Sequence, residues 1–298
     1  TRAVRQQSLR MQQLADDSAL TAGERLDKAR AWITALDDRR SASTVSQLDA
    51  LGMLLDSVQT GIPYLATPWK ALNKIITGMR PGQLWIVGAR PGVGKTLFAE
   101  NFGTHVGLQG KPVLLVTLEM SAAEITARTV SQLSSIDLSL IIDGRLDDWQ
   151  DQKVSGVGGR LMSSALRICD RPNMTVEDVR SEAWVARQAA KREGKDLELV
   201  VVDYIGLLRV NGRHDTRAIA LGHVSRSLKM LARELQVPVL ALSQLNRGIT
   251  SRGMDARPTM ADLRESGNLE QDADGVILMH AVQDRDPTDD SVYFTGEV

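Results

Sequence analysis

The stretch that decides the fold is "IVGARPGVGKTLFAENF", residues 86–102. It runs from an apolar segment through a glycine-containing loop into a helix-forming segment. In the loop, Gly92 and Gly94 let the backbone turn its N–H groups inward, where they and the following helix N-terminus cradle phosphate. Lys95 adds a cation that reaches the β- and γ-phosphates, and Thr96 supplies a hydroxyl for Mg²⁺. The stretch therefore predicts a P-loop that binds the phosphates of a nucleotide.

The whole loop from 89 to 96 is expected to contact the nucleotide. At its first position Ala89 replaces the usual glycine, which is a departure from the common pattern. The apolar run before the loop and the helical run after it distinguish a P-loop from an ordinary glycine-rich turn. The predicted nucleotide-binding residues are Ala89, Arg90, Pro91, Gly92, Val93, Gly94, Lys95 and Thr96.

Apolar runs alternate with helical patterns from about residue 62 onward. Continuous apolar runs are expected of strands buried on both faces, as in a parallel sheet covered by helices on each side. Helical patterns lie between them, including 121–134, opened by a capping box from Ser121 to Glu124, and 175–193, opened by Thr175. The prediction is an α/β fold with a doubly wound, mostly parallel central sheet. The predicted strands are 84–88, 112–119, 166–169, 197–205, 237–243 and 275–280.

Polar side chains end three of these runs. Asp203 ends "LVVVD", and in P-loop NTPases such a carboxylate supports Mg²⁺. Glu119 closes "VLLVTLE", where a carboxylate is able to orient and deprotonate an attacking water. Gln244 ends another strand, at a position suited to sensing the γ-phosphate. Each has an ordinary alternative, as a loop residue or the start of a helix, but their shared position at strand carboxyl ends favours function.

Composition excludes several classes of protein. Of the 298 residues, 43% are hydrophobic and 24% charged, which is ordinary for a globular protein. No apolar run approaches the ~18 residues that a membrane span requires. A single cysteine, Cys169, leaves neither a disulfide nor a cysteine-based zinc site, so we expect a reducing, cytoplasmic setting. With a net charge of −1, a nucleic-acid partner has to be met by a local basic patch.

The first sixty residues differ from the rest of the chain. A capping box from Thr21 to Glu24 opens a predicted helix over 21–40, and a polar segment follows as a linker. A second predicted helix starts near Val45 and ends at Gly61. We therefore expect a helical segment over 1–60 and an α/β domain over 61–298.

Arginines cluster after the strands that end in Asp203 and Gln244. The segments 205–217 and 245–268 contain no Phe, Trp or Tyr, so base stacking cannot be their main contact with a nucleic acid. Arginines and backbone amides would instead follow phosphates, independently of base sequence. The alternative is a solvated charged face. The arginines are Arg209, Arg213, Arg217, Arg247, Arg252, Arg257 and Arg264.

The sequence resembles the DnaB-type replicative DNA helicases. The most specific part of the resemblance is "RPTMADLRESGNLEQDADGVILMH", residues 257–280. Residues 61–96 look like that family's entry into its ATPase domain, and 14–38 look like the end of its N-terminal domain with its linker helix. Gly92 and Val93 stand where the family usually has Ser and Met. Further matching segments are "TLEMS" (117–121), "VVVDYIGLL" (200–208) and "LSQLNRG" (242–248).

The resemblance implies a RecA-like fold, a homo-hexameric ring, ATP hydrolysis at subunit boundaries and translocation along single-stranded DNA at a replication fork. By matching motifs, Lys95 and Thr96 bind phosphate and Mg²⁺, Glu119 activates water, and Asp203 supports the metal. Gln244 couples the γ-phosphate to the DNA loops. A primase and a helicase loader are the implied partners.

For DNA, the resemblance assigns contacts to Arg264, Glu265 and Gly267. Arg247 and Arg252, from the arginine-containing segments, complete the expected set. The family's basic residues that reach into the neighbouring ATP site are expected beyond residue 298, so the C-terminal end of the domain is expected to be incomplete.

Two other functions share parts of this pattern. A RecA- or RadA-type recombinase has the same fold and the same Glu, Asp and Gln positions, and strand exchange would distinguish it from a helicase. A loader or ring-assembly factor would use ATP only as a switch. The complete set of Lys95, Glu119, Asp203 and Gln244 argues against that second alternative.

Overall fold

The computed structural model describes residues 47–61, 63–210, 217–245, 256–281, 283–285 and 292–294. The chain divides into two compact units, Thr1–Ile62 and Pro63–Val298. In the first unit, helix α1 spans Gln47–Thr60, which agrees with the predicted second helix. The predicted helix over 21–40 and the linker after it lie outside the described residues.

The second unit is built on a six-stranded sheet in which every pairing is parallel. The strand order is β3-β2-β4-β5-β1-β6. All six predicted strands are present, with ends that differ by at most two residues, and the α/β prediction is confirmed. The strands are β1 Leu84–Ala89, β2 Val113–Thr117, β3 Leu166–Cys169, β4 Leu199–Asp203, β5 Val239–Gln244 and β6 Gly275–Met279. A short antiparallel pair, β7 Gln283–Arg285 and β8 Val292–Phe294, forms a separate sheet.

The prediction that the strands are buried on both faces is correct for the centre of the sheet and wrong for its edges. Every residue of β1, β2 and β4 is buried. The edge strands β3 and β6 are mostly half-buried, because each has a neighbouring strand on one side only. Interior strands therefore carry the core.

Helices connect the strands, and the predicted caps begin two of them. Ser121 and Glu124 form a reciprocal capping box, and Thr175 forms another with Asp178. The predicted helices 121–134 and 175–193 are thus confirmed. The helices are α2 Lys70–Ile76, α3 Lys95–Leu108, α4 Ala122–Ser134, α5 Leu138–Ile142, α6 Asp148–Met162, α7 Val176–Arg192, α8 Arg217–Leu235 and α9 Gly267–Asp272, with 3₁₀ turns at Ile205–Leu207 and Met260–Ser266. Among the described helices, not one combines the length and apolarity that crossing a membrane requires.

Alternation along the strands divides the core into two clusters. On one face, Val200 and Val202 pack in a cluster with Leu228 of α8, together with residues of α7. On the other, Val201 packs in a cluster with Phe102 of α3. We call these the α7/α8 face and the α3 face. Because side chains alternate in a strand, residue 203 projects to the α3 face, the side on which the P-loop helix lies.

Candidate nucleotide-binding site

The glycine-containing loop connects β1 to α3 through a turn in which the Val93 N–H donates to the Arg90 carbonyl. Gly92 and Gly94 have φ values of 81° and 96°, a left-handed backbone conformation that residues with a Cβ rarely adopt. A Cβ added to either glycine would meet nothing within 4 Å. Glycine is therefore required at these two positions because of the backbone conformation, and not because a side chain would clash with a neighbour. Lys95 begins α3 directly after Gly94, so the free N–H groups of the first helical turn lie in the loop.

A cavity of about 750 Å³ lies against this loop. Its volume is within the range of small-molecule sites, roughly 300–1,000 Å³. Six of the eight predicted loop residues line it, whereas Ala89 is buried in β1 and Val93 does not reach the lining. The lining consists of Arg90, Pro91, Gly92, Gly94, Lys95, Thr96, Leu97, Asn101, Glu119, Met120, Arg128, Ser131, Gln132, Leu138, Tyr204 and Gln244.

Asp203 lies behind Thr96 and Lys95 and does not itself line the cavity. It ends β4, pairs in register with Thr117 of β2, and is only 3% exposed. Burial raises the pKa of Asp203, while a hydrogen bond from the Thr96 hydroxyl and the charge of Lys95 lower it. Its Oδ1 atom has no hydrogen-bond partner among the described residues. A buried carboxylate oxygen without a partner, beside the P-loop hydroxyl, fits a site that takes a hard cation.

Glu119 lies beyond its strand rather than at the end of it, which corrects the predicted strand over 112–119. The strand stops at Thr117, because the Thr117 hydroxyl accepts the Met120 N–H and donates to the Met120 carbonyl, closing a turn. Glu119 is exposed in this turn and lines the cavity. Its charge raises the pKa of Asp203, although burial is the larger cause.

The order of the strands brings the predicted catalytic residues to one edge. Gln244 ends β5, pairs with Ala89 at the start of the P-loop, and lines the cavity as an exposed side chain. Since β2, β4, β5 and β1 are consecutive neighbours, Glu119, Asp203, Gln244 and Lys95 follow one another along the carboxyl edge.

Two side chains of this cavity did not emerge from the sequence reasoning. Tyr204 follows Asp203, and the Nζ atom of Lys95 lies 4.8 Å from the centre of its ring. Arg128 of α4 lines the cavity from above, and its positive charge lowers the pKa of Asp203. The one sequence signal for Arg128 is its position four residues after Glu124 on a helix that starts next to Glu119.

Glu100 is a third residue that the sequence reasoning missed. It lies on α3 one turn after Thr96 and is 3% exposed. The pKa of Glu100 is raised to about 7, chiefly by burial, with the Arg128 charge lowering it and the Asp203 charge raising it. Neither of its carboxylate oxygens has a hydrogen-bond partner among the described residues. A buried acid thus lies beneath the nucleotide cavity.

The predicted DNA contacts are only partly within the described residues. Arg264 and Glu265 lie in the 3₁₀ turn Met260–Ser266, and Gly267 begins α9, but their side chains are not described. Arg247 and Arg252 lie outside the described residues.

Comparison with known proteins adds independent information. A family model described as the DnaB-like helicase C-terminal domain matches residues 64–294. The chain is 40% identical over 239 residues to the replicative DNA helicase DnaB of Buchnera aphidicola, covering 80% of this chain and 50% of that protein. It is 37% identical over 269 residues to DnaB of Haemophilus influenzae, covering 86% and 56%. The chain thus spans about half the length of these relatives.

Solved structures give the same relationship. One solved ATPase domain superposes with a TM-score of 0.73 at 29% identity, over 86% of this chain and 92% of that one. The structure of a DnaB-like replicative helicase and its interactions with primase superposes with a TM-score of 0.76 at 27% identity, over 95% of this chain and 66% of that one.

Proposed function

We propose that this chain, which belongs to the family of DnaB-like helicase C-terminal domains, is the ATP-driven motor of a replicative DNA helicase. Membership of this family implies that the chain binds a nucleotide. The observation that carries the proposal is the row of Lys95, Glu119, Asp203 and Gln244 along one edge of the sheet, beside a cavity of about 750 Å³. This row supplies a phosphate-binding cation, a base, a metal-supporting carboxylate and a phosphate sensor.

Thr96 in the cavity lining and Asp203 behind it fit Mg²⁺. Thr96 and Asp203 would hold the ion, since one offers a hydroxyl and the other a buried oxygen without a protein partner. Mg²⁺ commonly takes only one or two protein ligands in nucleotide sites, completed by water and phosphate. When bound, the ion neutralises charge that develops on the phosphates. Asp203 has to be ionised for this role, and Lys95 together with the Thr96 hydroxyl favours its ionised form.

The remaining residues divide the work of hydrolysis. Lys95 leaves the ring of Tyr204 and turns to the β- and γ-phosphates, a movement that the flexible lysine side chain allows. Glu119, exposed in the turn after β2, accepts a proton from the attacking water. Gln244, at the end of β5 beside the P-loop, responds to whether the γ-phosphate is present. In this scheme β5 transmits the state of the nucleotide to the segment that follows it.

We further propose that six copies form a ring that moves along single-stranded DNA in a cytoplasmic setting. The DNA contacts are assigned to Arg264, Glu265 and Gly267, together with Arg247 and Arg252. Residues 1–60 form the end of an N-terminal domain and a linker helix, and 61–298 the motor domain. A primase and a helicase loader are the proposed partners. The names of the relatives support the role in DNA replication, and the interaction of one solved DnaB-like helicase with primase supports primase as a partner.

Glu119→Gln tests the proposed function. The amide keeps the size of the side chain but cannot accept the proton, so Mg–ATP should still bind while turnover falls by about 10² to 10⁴. The measurements are ATP hydrolysis in the presence of single-stranded DNA and binding of a fluorescent ATP analogue. Glu177→Gln makes the same change at an exposed position on α7 and should leave both unchanged. Near-normal turnover in the Glu119 variant would assign Glu119 a structural role.

A second measurement separates the helicase from its alternatives. Unwinding of a duplex from a 5′ tail, without strand exchange, is expected of the helicase. Strand exchange would identify a recombinase instead. Nucleotide binding without turnover would identify a switch only if it persists in a longer chain that includes the basic residues expected beyond residue 298.

A further inference from the structure

Glu100 is a buried acid that the proposed catalytic scheme does not use. It belongs to α3, whose buried residues Ala99 and Phe102 beside it are apolar. Glutamate is almost never fully buried unless it is paired. Yet Glu100 is 3% exposed, and both of its carboxylate oxygens lack a hydrogen-bond partner among the described residues. A side chain that disfavours its own burial in this way is a candidate for a functional role.

The charge that favours ionised Glu100 comes from Arg128. Because both Glu100 oxygens lack a partner, the guanidinium of Arg128 is not within hydrogen-bonding distance, but it is close enough to lower the pKa of Glu100. The same guanidinium also lowers the pKa of Asp203 and of Glu124. Arg128 is therefore shared among three carboxylates and lines the nucleotide cavity at the same time.

Two of these carboxylates draw Arg128 in different directions. Glu124 is exposed on α4, four residues before Arg128, a spacing that brings side chains together on a helix surface. Its carboxylate already accepts hydrogen bonds from the backbone N–H and hydroxyl of Ser121. Glu100 attracts Arg128 from the buried side, under the cavity.

We propose that Glu100 is a positioning residue, whose buried carboxylate draws the guanidinium of Arg128 toward the floor of the nucleotide cavity and away from Glu124. In that position the guanidinium contributes a second cation, besides Lys95, to the wall that bound phosphates contact. This inference rests on the proposed function, because it takes the occupant of the cavity to be a nucleotide.

The direction in which a Glu100 substitution changes the affinity for Mg–ATP tests the proposal. Glu100→Gln keeps the shape of the side chain and removes its charge. If Glu100 acts through Arg128, a fluorescent ATP analogue should bind the variant about 2- to 5-fold more weakly, the size expected for one partly solvated ion pair. If Glu100 merely repels the phosphates through space, the same variant should bind more tightly. Binding that is unchanged or tighter overturns the proposal.

Two further variants show whether the effect passes through Arg128. In an Arg128→Met background, Glu100→Gln should cause no additional loss, because the side chain to be positioned is absent. Adding Glu124→Gln to Glu100→Gln should restore affinity, because it removes the competing charge while glutamine still supports the capping box. A loss of the same size with and without Arg128 would show that Glu100 acts on the loop by another route.

The controls separate this role from a structural one. Thr104→Val alters another buried polar side chain of α3, one turn beyond Glu100, and should leave the affinity unchanged. Thermal unfolding of each variant shows that it folds, and Glu100→Asp, which keeps the charge, should recover part of the affinity. The unaltered chain reports on the proposed function by itself. If it fails to bind Mg–ATP, both proposals fall, whereas binding that is equal in the Glu100→Gln variant removes only the role of Glu100.

Discussion

The two faces of the sheet treat buried polar groups differently. On the α7/α8 side, the Ser225 hydroxyl donates to Asp272. The half-buried Lys229 donates to Asp274 and to the carbonyl of Gly82. On the α3 side, the buried polar atoms without a partner are those of Glu100, Asn101, Thr104 and Asp203. Within the described part of the chain, every such atom belongs to α3 or to the end of β4.

This difference follows from what each face has to do. A buried polar atom without a partner lowers stability by about 1–3 kcal/mol, so folding alone favours the arrangement on the α7/α8 side. Helix α3 contributes Lys95, Thr96 and Asn101 to the lining of the phosphate cavity, and the buried carboxylates of Glu100 and Asp203 lie close behind that lining. We therefore propose that the α7/α8 face contributes mainly to stability, whereas the α3 face is less stable than it could be because it serves nucleotide binding.

The largest expected effect is on the α7/α8 face. Leu228→Ala removes a fully buried side chain of α8 and should lower the free energy of unfolding by about 2–5 kcal/mol. Denaturant unfolding measures this loss. Affinity for Mg–ATP should be unchanged at temperatures where the variant is folded, since the cavity lies on the other face.

Met230→Ala is the matched control, because Met230 lies on the same helix and is 53% exposed. It should change the free energy of unfolding by less than about 0.5 kcal/mol. A folded Leu228→Ala variant with much weaker nucleotide binding would contradict the separation of the two faces.

The next largest expected effect is a gain in stability, and its size depends on pH. Glu100→Met should raise the free energy of unfolding by about 1–3 kcal/mol at pH 8. The folded-state pKa of Glu100 is about 7, above its ordinary value of 4.5, because burial disfavours the charged form. The stability that the protonated acid provides is therefore fully present below pH 4.5 and is lost as the pH rises through 7.

Denaturant unfolding at pH 5 and at pH 8 tests this expectation. The advantage of methionine over glutamate should be small at pH 5 and near its maximum at pH 8. An advantage of the same size at both values would indicate better packing of methionine rather than removal of a buried charge.

The sequence predicted the sheet well, because the interior strands are buried on both faces, apart from Gln244 at the end of β5, and appear as unbroken apolar runs. The sequence also predicted the P-loop and the group of residues at the carboxyl edge of the sheet. The ends of the apolar runs fix the positions of Asp203 and Gln244. Glu119 was placed in the strand because the hydrogen bonds of Thr117 that end β2 depend on side-chain geometry.

Glu100 and Arg128 were missed for a different reason. Helix α3 has apolar residues around most of its circumference, among them Leu97, Phe98 and Phe102, so periodicity does not mark Glu100 as facing inward. Arg128 becomes part of the cavity only through the packing of α4 over the P-loop, a contact between elements that no local pattern contains.

Asp203→Asn should separate stability from ligand binding on the α3 face. Burial raises the pKa of Asp203, so replacing the ionised acid with an amide should raise the free energy of unfolding. The Mg²⁺-dependent part of the affinity for ATP should be lost at the same time. Calorimetric unfolding and nucleotide titration with and without Mg²⁺ provide the two measurements.

Asp196→Asn is the control of opposite sign. Its hydrogen bonds with Arg187 lower the pKa of Asp196, so the amide should reduce stability, by a few tenths of a kcal/mol for an exposed pair. Nucleotide binding should not change. Equal losses of stability in the two asparagine variants would mean that Asp203 is as well paired as Asp196.

The smallest expected effect compares two threonines of the α3 face. Thr104 is buried and its hydroxyl has no partner among the described residues, so Thr104→Val should raise the free energy of unfolding by about 1 kcal/mol. Thr117 is equally buried, but its hydroxyl donates to and accepts from the backbone of Met120. Thr117→Val should therefore lower the free energy of unfolding by about 1 kcal/mol. Denaturant unfolding of both variants measures the difference between an unpaired and a paired hydroxyl on one face.

If both variants lose stability equally, the Thr104 hydroxyl forms a hydrogen bond in solution. The difference between the two faces would then be limited to the unpaired carboxylates of the α3 face.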